Sequence, residues 1–138
     1  MKNLLSKRTL NKYSRQIILK DVGIIGQKKI FNSKILVVGA GGLGSPVIDL
    51  LVRAGVGFLG VIEDDKVDYS NLHRQTLYDY NDVGKYKSDV IKKKIKLIND
   101  KIKLKTFKDR ANDKNLGKIL PKFDIIVDGT DNFPTKFL

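Results

Sequence analysis

The chain has 138 residues, of which 41% are hydrophobic and 30% are charged, and its formal net charge is +12. This length predicts one domain, and this composition is globular rather than collagen-like or disordered. The absence of cysteine excludes a disulfide framework, a thiolate zinc site and a catalytic cysteine within the chain, and the single histidine, His73, excludes an all-histidine metal cluster.

No apolar run of the sequence approaches the roughly 18 residues of a membrane span, and residues 1–11 lack the apolar stretch of a secretory signal. We therefore expect a cytoplasmic protein without a membrane partner. Many lysines lie between residues 92 and 105, interleaved with Ile and Leu, which is typical of the solvated faces of a helix and a strand. Aromatic residues that would stack on bases are scarce there, so nucleic acid is disfavoured as a partner, whereas an acidic protein is compatible with the charge.

The first half of the chain predicts helices followed by one strand–helix–strand unit. In chain order we expect helices at residues 13–19 and 24–31, a strand at 35–38, a glycine turn at 39–44, a helix at 45–54 and a strand at 58–62. The run Ile35-Leu36-Val37-Val38 is uniformly apolar, which is typical of a buried parallel strand. Residues 1–34 are interpreted as an N-terminal helical segment.

Residues 63–80 form a long polar connection, after which strands and helices alternate again. We expect a helix at residues 87–98, a strand at 102–106, a helix at 115–120, a strand at 125–127 and a further helix from about Phe133. This alternation predicts an α/β fold over residues 35–138: a Rossmann-like, doubly wound, mainly parallel sheet with helices on both faces. Ligands of such sheets bind outside the carboxyl ends of the strands, so functional residues should follow Val38, Ile62 and Val127.

The glycine turn is the first candidate site. Its sequence, Gly-Ala-Gly-Gly-Leu-Gly, matches G-x-G-x-x-G between a predicted strand and a predicted helix. Glycines permit the sharp turn, the approach of backbone N–H groups to a phosphate and the close packing of helix on strand, and the helix N-terminus attracts the anion. The residues expected at the nucleotide are Gly39, Gly41, Gly42 and Gly44. The acidic group Glu63-Asp64-Asp65 lies at the end of the next strand, where a carboxylate would hold the ribose hydroxyls.

A second group of polar residues lies in the connection and at the start of the following helix. Arg74 is suited to bind phosphate oxygens with two parallel hydrogen bonds, and Asn71 can contact a hydroxyl or a base edge. Lys87 can neutralise a transferring phosphoryl group, with Lys85 as its nearby competitor. The loop residues expected to contact the nucleotide are Ser70, Asn71, Leu72, His73 and Arg74.

The last predicted strand ends in Asp128-Gly129-Thr130-Asp131-Asn132. A carboxylate at this edge, opposite the glycine turn, is suited to hold Mg²⁺ through one or two oxygens. The same residue types also cap helices, so Thr130, Asp131 or Asn132 are equally candidates for the N-cap of the helix expected after them. Both interpretations remain open at this point.

The motifs occur in an order that resembles a known family. They are Tyr13–Gln16, Gly39–Pro46, Ala54–Gly57, Ser70–Gln75, Val83–Lys87 and Asp128–Asn132. Together they closely resemble the ThiF/MoeB/HesA family, the bacterial relatives of ubiquitin-activating enzymes, from about Asn11 to Leu138.

The resemblance implies an adenylyltransferase that uses ATP and Mg²⁺. Its substrate would be the C-terminal glycine carboxylate of a ubiquitin-like sulfur carrier protein ending in Gly-Gly, of the kind that serves thiamine or molybdopterin synthesis. The enzyme would be a homodimer. The implied roles are Gly42 and its neighbours at the phosphates, Glu63 at the ribose, Asn71 and Arg74 at nucleotide and phosphates, Lys87 at the transferring phosphate, Asp131 at Mg²⁺ with Asn132 beside it, and Arg15 reaching across the homodimer into the neighbour's ATP site.

The sequence departs from the family in two ways. Glu63 stands where the family usually has Asp, so Asp65 is expected to share its role. The family's later segment, with further strands, a carrier-docking surface and cysteines, would follow residue 138, so we expect an ATP-binding portion that is incomplete relative to the family. Three alternatives remain: a non-catalytic nucleotide-binding or dimerisation module, a family member acting on tRNA, and an NAD-dependent oxidoreductase, whose nicotinamide suits the basic loop less well than a triphosphate does.

Overall fold

A computed structural model describes residues 6–131 of the chain, in which four parallel strands form one sheet. The strands are β1 (Lys34–Val38), β2 (Phe58–Ile62), β3 (Lys103–Phe107) and β4 (Ile125–Asp128). The helices are α1 (Lys7–Lys12), α2 (Ser14–Ile17), α3 (Gly23–Asn32), α4 (Gly44–Ala54), α5 (Lys87–Ile98) and α6 (Asp113–Ile119). Short 3₁₀ turns occupy residues 69–71, 80–82 and 120–122.

The strand order is β3-β2-β1-β4, so the chain reverses its direction of progress across the sheet next to β1. Val37 on β1 lies between Val61 on β2 and Val127 on β4, in register with both. The connection from β1 to β2 through α4 therefore packs on one face of the sheet, and the connection from β3 to β4 through α6 packs on the other. Such a reversal opens a crevice at the carboxyl ends of the two strands, where ligands of doubly wound sheets bind.

Helices cover both faces of the sheet, as the sequence predicts for this fold class. On one face, α4 and α5 bury Ile48 and Ile91 completely against the sheet. On the other face, α6 packs Leu116 and Ile119 against a second, smaller cluster. The parallel sheet and its Rossmann-like arrangement are thus confirmed.

The predicted elements differ from the observed ones mainly at short helices. Helix α1 was not predicted; the Ser6 hydroxyl caps it by accepting the Thr9 N–H at 3.2 Å. Helix α2 ends at Ile17, whereas the prediction ran to residue 19. Helix α6 begins two residues earlier than predicted because the Asn112 side chain accepts the N–H groups of its first turn. The helix expected from about Phe133 lies outside the described residues.

Within residues 6–131 the longest helix has 12 residues, and none has the length and apolar character that crossing a bilayer requires.

The glycine turn leaves no room for a side chain at Gly44. A Cβ atom built there would overlap the carbonyl of Gly39, which belongs to the same turn. At Gly117, inside α6, a Cβ would meet nothing within 4 Å. These two glycines therefore offer a matched pair of positions at which the same added methyl group should have opposite effects.

We expect Gly44→Ala to lower the free energy of unfolding by about 3 kcal/mol or more, because backbone cannot yield as a flexible side chain can. Gly117→Ala should raise it by about 0.5–1 kcal/mol, because alanine restricts the unfolded chain and favours helix. Urea unfolding of both variants measures this. Equal effects at the two positions would contradict the close approach of Gly44 to Gly39.

Candidate functional site

A cavity of about 830 Å³ lies at the carboxyl ends of the strands. Residues that follow each of the four strands line it: the glycine turn after β1, residues 63–66 after β2, residues 109–111 after β3 and residues 129–131 after β4. Asn71, Arg74, Gln75 and Lys87 from the long connection and α5 complete the wall. The fold therefore gathers polar groups from distant parts of the sequence around one space large enough for a nucleotide.

The glycine turn forms one wall of the cavity, and close backbone contacts hold it there. Gly39 has a φ of +88°, which disfavours other residues, and its N–H donates to the Ile62 carbonyl at 2.9 Å. The Gly129 N–H donates to the Val38 carbonyl at 2.8 Å. A Cβ atom on Gly129 would lie 2.9 Å from the Gly39 oxygen. The ends of β1 and β4 thus approach closely, and α4 starts at this point with its N-terminus at the cavity.

Glu63 fixes the turn relative to β2. Its buried carboxylate accepts the Ala40 N–H at 2.7 Å with one oxygen and the Asp65 N–H at 2.9 Å with the other. The longer arm of glutamate is therefore held back against the backbone. Asp65 remains exposed at the cavity wall.

Tyr78 stabilises the glycine turn through a hydrogen bond. Its hydroxyl donates to the Ala40 carbonyl at 2.7 Å, and the residue is buried. Burial raises the pKa of Tyr78, and the neighbouring carboxylates of Glu63, Asp65 and Asp82 raise it further. The phenol therefore stays protonated and remains a hydrogen-bond donor to the glycine turn.

Lys87 places a buried ammonium group at the cavity. It is the first residue of α5 and is 4% exposed. Its Nζ lies 3.8 Å from an Asp65 carboxylate oxygen and 5.9 Å from the centre of the Tyr78 ring. At this distance the carboxylate offsets only part of the cost of burying the positive charge. The ammonium group of Lys87 therefore favours the binding of an anion in the cavity.

Arg74 lies directly against the glycine turn. Its Nε is 3.4 Å from the position that a Cβ atom on Gly42 would take, and one Nη donates to the Ser70 carbonyl at 3.2 Å. The guanidinium is exposed to the cavity and has no carboxylate partner within residues 6–131. Arg74 and Lys87 therefore bring two positive charges to the place where the turn presents its N–H groups.

Asp131 lines the cavity as an exposed carboxylate that makes no hydrogen bond or ion pair with the residues described. Such a free hard-oxygen ligand fits Mg²⁺, which binds proteins through one or two carboxylates and keeps several waters. The carboxylates of Glu63, Asp64 and Asp65 also lie close together, within 4.8 Å. Both Glu63 oxygens, however, already accept backbone N–H groups. The helix that Thr130, Asp131 or Asn132 would cap lies outside the described residues.

The structure brings most of the predicted site residues together. Those that line the cavity are Gly39, Gly41, Gly42, Glu63, Asp65, Asn71, Arg74, Lys87 and Asp131. Their roles toward a ligand stay predictions.

Other predicted site residues lie outside the cavity wall. Gly44 and Leu72 pack inward, His73 bonds the Ser70 carbonyl through Nδ1, and Ser70 bonds Asp68, which shapes the loop. Arg15 lies exposed on α2, away from the cavity of its own chain. Asn132 lies outside the described residues.

The predicted site does not include Gln75, Asp109 and Arg110, although all three line the cavity. Gln75 is 3% exposed, and its side-chain oxygen has no hydrogen-bond partner within the described part of the chain. Asp109 and Arg110 follow β3 at the same edge as the other site residues. The rule that functional residues follow the strands would have found Asp109 and Arg110 had it been applied to the third strand as well.

The chain is similar in sequence to a known protein family and to several curated proteins. A family model described as "ThiF family" matches residues 13–138. The sulfur carrier protein adenylyltransferase of Thermus thermophilus is 45% identical over 133 residues, which cover 96% of this chain and 49% of that protein. A probable adenylyltransferase/sulfurtransferase, MoeZ, of Mycobacterium tuberculosis is 41% identical over 97% of this chain and 34% of its own length.

Solved structures show the same fold. The E. coli tRNA N6-threonylcarbamoyladenosine dehydratase TcdA, in complex with ATP, superposes with a TM-score of 0.85 at 25% identity, covering 92% of this chain and 52% of that one. E. coli MccB with ATP superposes with a TM-score of 0.80 at 34% identity, covering 88% and 38%. The chain thus spans about half or less of the length of these relatives.

Proposed function

Because this chain belongs to the ThiF family, we propose that it forms the ATP-binding part of an adenylyltransferase acting on a ubiquitin-like sulfur carrier protein. One observation carries the proposal: Arg74, Lys87 and Asp131, from three separate segments, converge on the cavity beside the glycine turn. The names of three similar curated proteins support the same activity.

In the proposed reaction, a carboxylate oxygen of the carrier's C-terminal glycine attacks the α-phosphorus of ATP. The bond from that phosphorus to the bridging oxygen of pyrophosphate breaks, and the electron pair leaves with pyrophosphate. The product is an acyl-adenylate. No protein nucleophile is needed, so the lack of cysteine is compatible with this step. The protein's task is to position the two reactants and to stabilise the charge that develops on the phosphoryl oxygens.

The cavity residues suit this task by their positions. Lys87 supplies a buried, preorganised positive charge, and Arg74 supplies planar donors against the turn that would receive the phosphates. Asp131 would hold Mg²⁺, which when bound neutralises charge on the leaving phosphates. Asn71, at the same wall, would contact the nucleotide.

We propose that two acidic residues after β2, Glu63 and Asp65, share the contact with the ribose of the nucleotide. Glu63 uses both oxygens to accept backbone N–H groups, and each oxygen retains a lone pair for a hydroxyl. Asp65 is exposed, and its one ion pair within residues 6–131 is with Lys87. Its carboxylate is the freer acceptor, so Asp65 would share the ribose contact.

The proposal includes a homodimer in which Arg15 acts on the partner's ATP. Arg15 does not line the cavity of its own chain. In the turn after α2 and on α3, large apolar side chains are exposed: Ile18, Leu19, Ile24 and Ile25. Contiguous exposed apolar residues are typical of protein interfaces. A second copy seated on this face would offer Arg15 a route into the neighbouring site, where a cation offsets charge in the transition state.

The proposal is tested by ATP–pyrophosphate exchange with the full-length gene product. Exchange should require Mg²⁺ and a carrier ending in Gly-Gly. Asp131→Ala should lower it by roughly 10²-fold, because a group that stabilises developing charge is lost. Asp113→Ala removes another exposed carboxylate, one that does not line the cavity, and should leave exchange unchanged.

Other outcomes separate the alternatives. Tight ATP binding without exchange would support the non-catalytic module. Exchange stimulated by tRNA instead of a carrier would support the activity named for the TcdA neighbours. Equal exchange in Asp131→Ala and the wild type would contradict the assignment of Asp131.

A further inference from the structure

A second cavity, here called the distal cavity, lies at the opposite end of the sheet. Its volume is about 590 Å³, and its wall includes Gly57 and Ile102, which directly precede β2 and β3. It therefore opens at the amino ends of the strands, whereas the proposed nucleotide site lies at their carboxyl ends. The Ala54–Gly57 motif, which the proposed function does not use, forms part of this wall.

The inner wall of the distal cavity is aromatic and aliphatic. Tyr13 and Phe31 meet edge to face with their ring centres 5.0 Å apart, and Val56 and Ile102 lie beside them. Asn99 holds this wall together, since its amide nitrogen donates to the Tyr13 hydroxyl at 3.0 Å and to the Val52 carbonyl at 3.1 Å. The floor is thus preformed and suits the apolar body of a ligand.

The rim of the distal cavity is positively charged. Arg8 and Lys12 stand four residues apart on α1, so they share one face of that helix. Neither has a carboxylate partner among residues 6–131. Lys101 adds a third cation, and Asp100, 3.9 Å from Lys101, is the carboxylate on this rim. The charges of Arg8 and Lys12 are therefore available to an anion.

Tyr13 contributes an unsatisfied donor. Its hydroxyl oxygen accepts from Asn99, but its hydrogen has no acceptor within the described residues, although the residue is 5% exposed. Buried donors are normally paired, so this O–H group favours an oxygen-bearing ligand nearby.

We propose that the distal cavity is a second ligand site, which takes a small organic anion with an apolar body. The anionic group pairs with Arg8 and Lys12, and the body packs on Tyr13, Phe31 and Ile102. This site is separate from the nucleotide cavity and does not depend on the proposed adenylyl transfer.

The test uses two dyes with nearly the same apolar body, the anion 8-anilinonaphthalene-1-sulfonate and the neutral N-phenyl-1-naphthylamine. They are titrated into the ¹⁵N-labelled 138-residue chain by calorimetry and NMR. The sulfonate should bind one equivalent, shift the amide signals of Gly55, Gly57 and Ile102, and resist displacement by excess ATP with Mg²⁺. The neutral dye should bind at least tenfold more weakly.

Matched variants separate the rim charges from net charge. Arg8→Gln/Lys12→Gln should raise the Kd of the sulfonate at least tenfold. Lys28→Gln/Lys29→Gln removes the same charge from exposed positions on α3 outside the cavity and should change the Kd less than twofold. Should the first variant fail to fold, Thr9→Trp, which fills the cavity from α1, should abolish the shifts at Gly55 and Gly57.

Three results would overturn the proposal. The first is equal weakening by the two charge variants. The second is displacement of the sulfonate by ATP, or shifts centred on Gly41 and Gly42, which would place the dye in the nucleotide cavity. The third is equal binding of the two dyes, or shifts centred on Ile24 and Ile25, which would reduce the binding to apolar adsorption.

Discussion

Lys87→Met should lower the rate of ATP–pyrophosphate exchange by roughly 10²–10³-fold, which is the usual cost of removing one preorganised group that stabilises transition-state charge. The ammonium of Lys87 is buried at the cavity wall, where the low dielectric makes its charge more effective than an exposed one. Methionine keeps most of the unbranched stem and so preserves the packing near Tyr78. The measurement is exchange by the full-length gene product at saturating ATP and carrier.

Lys85→Met is the matched control for this prediction. Lys85 lies two residues earlier, is exposed and does not line the cavity. Its side chain should be dispensable, so exchange should stay within twofold of the wild type. If Lys85→Met lowered exchange as much as Lys87→Met, this would contradict the assignment of Lys87 alone to the transferring phosphate.

Arg74→Ala should lower exchange by roughly 10²-fold, because the guanidinium lies against Gly42 and would lose its contacts with phosphate oxygens. Arg74→Lys should recover only part of that loss, since a lysine restores the charge but not the planar pair of donors. ATP binding to the 138-residue chain, measured by calorimetry, should weaken in the same order: wild type, lysine variant, alanine variant.

His73→Ala provides the comparison for Arg74. His73 is the preceding residue, is exposed and points its Nδ1 to the Ser70 carbonyl rather than into the cavity. Its loss should leave ATP affinity nearly unchanged. Equal affinities for Arg74→Ala and His73→Ala would mean that the guanidinium does not reach the bound nucleotide.

The core of the fold was predictable because its signals are local and strong. Buried parallel strands are typically contiguous apolar runs. The bounds of β1 were therefore predicted to within one residue, and both ends of β2 were predicted as observed. The short helices were less predictable. The starts of α1 and α6 depend on the side chains of Ser6 and Asn112, which accept backbone N–H groups of the first turn. Such local hydrogen bonds also stabilise other turn conformations, and neither segment has a clear periodicity.

The candidate site was predictable where it follows the strands. The rule that ligands bind beyond the carboxyl ends of strands predicted the glycine turn, Glu63 and Asp131 as site residues, and all three line the cavity. The residue types in the long connection and at the start of α5 pointed to Arg74 and Lys87, and the family resemblance implied the same roles for them.

The long connection was harder to predict residue by residue. Its path is set by contacts between distant residues, such as the Val67 N–H donating to the Lys85 carbonyl at 2.8 Å. The sequence of such a loop has no periodicity that would indicate which side chains point to the cavity. The burial of Gln75 and the outward position of His73 therefore became visible only in three dimensions.

The central claim is that the glycine turn receives a triphosphate beside Arg74, Lys87 and Asp131. Calorimetric titration of the 138-residue chain with ATP and Mg²⁺ tests it most directly, with NAD as competitor. We predict one ATP bound per chain, weaker binding in Arg74→Ala and no displacement by an equal concentration of NAD. Absence of ATP binding, or displacement of ATP by NAD, would contradict the claim.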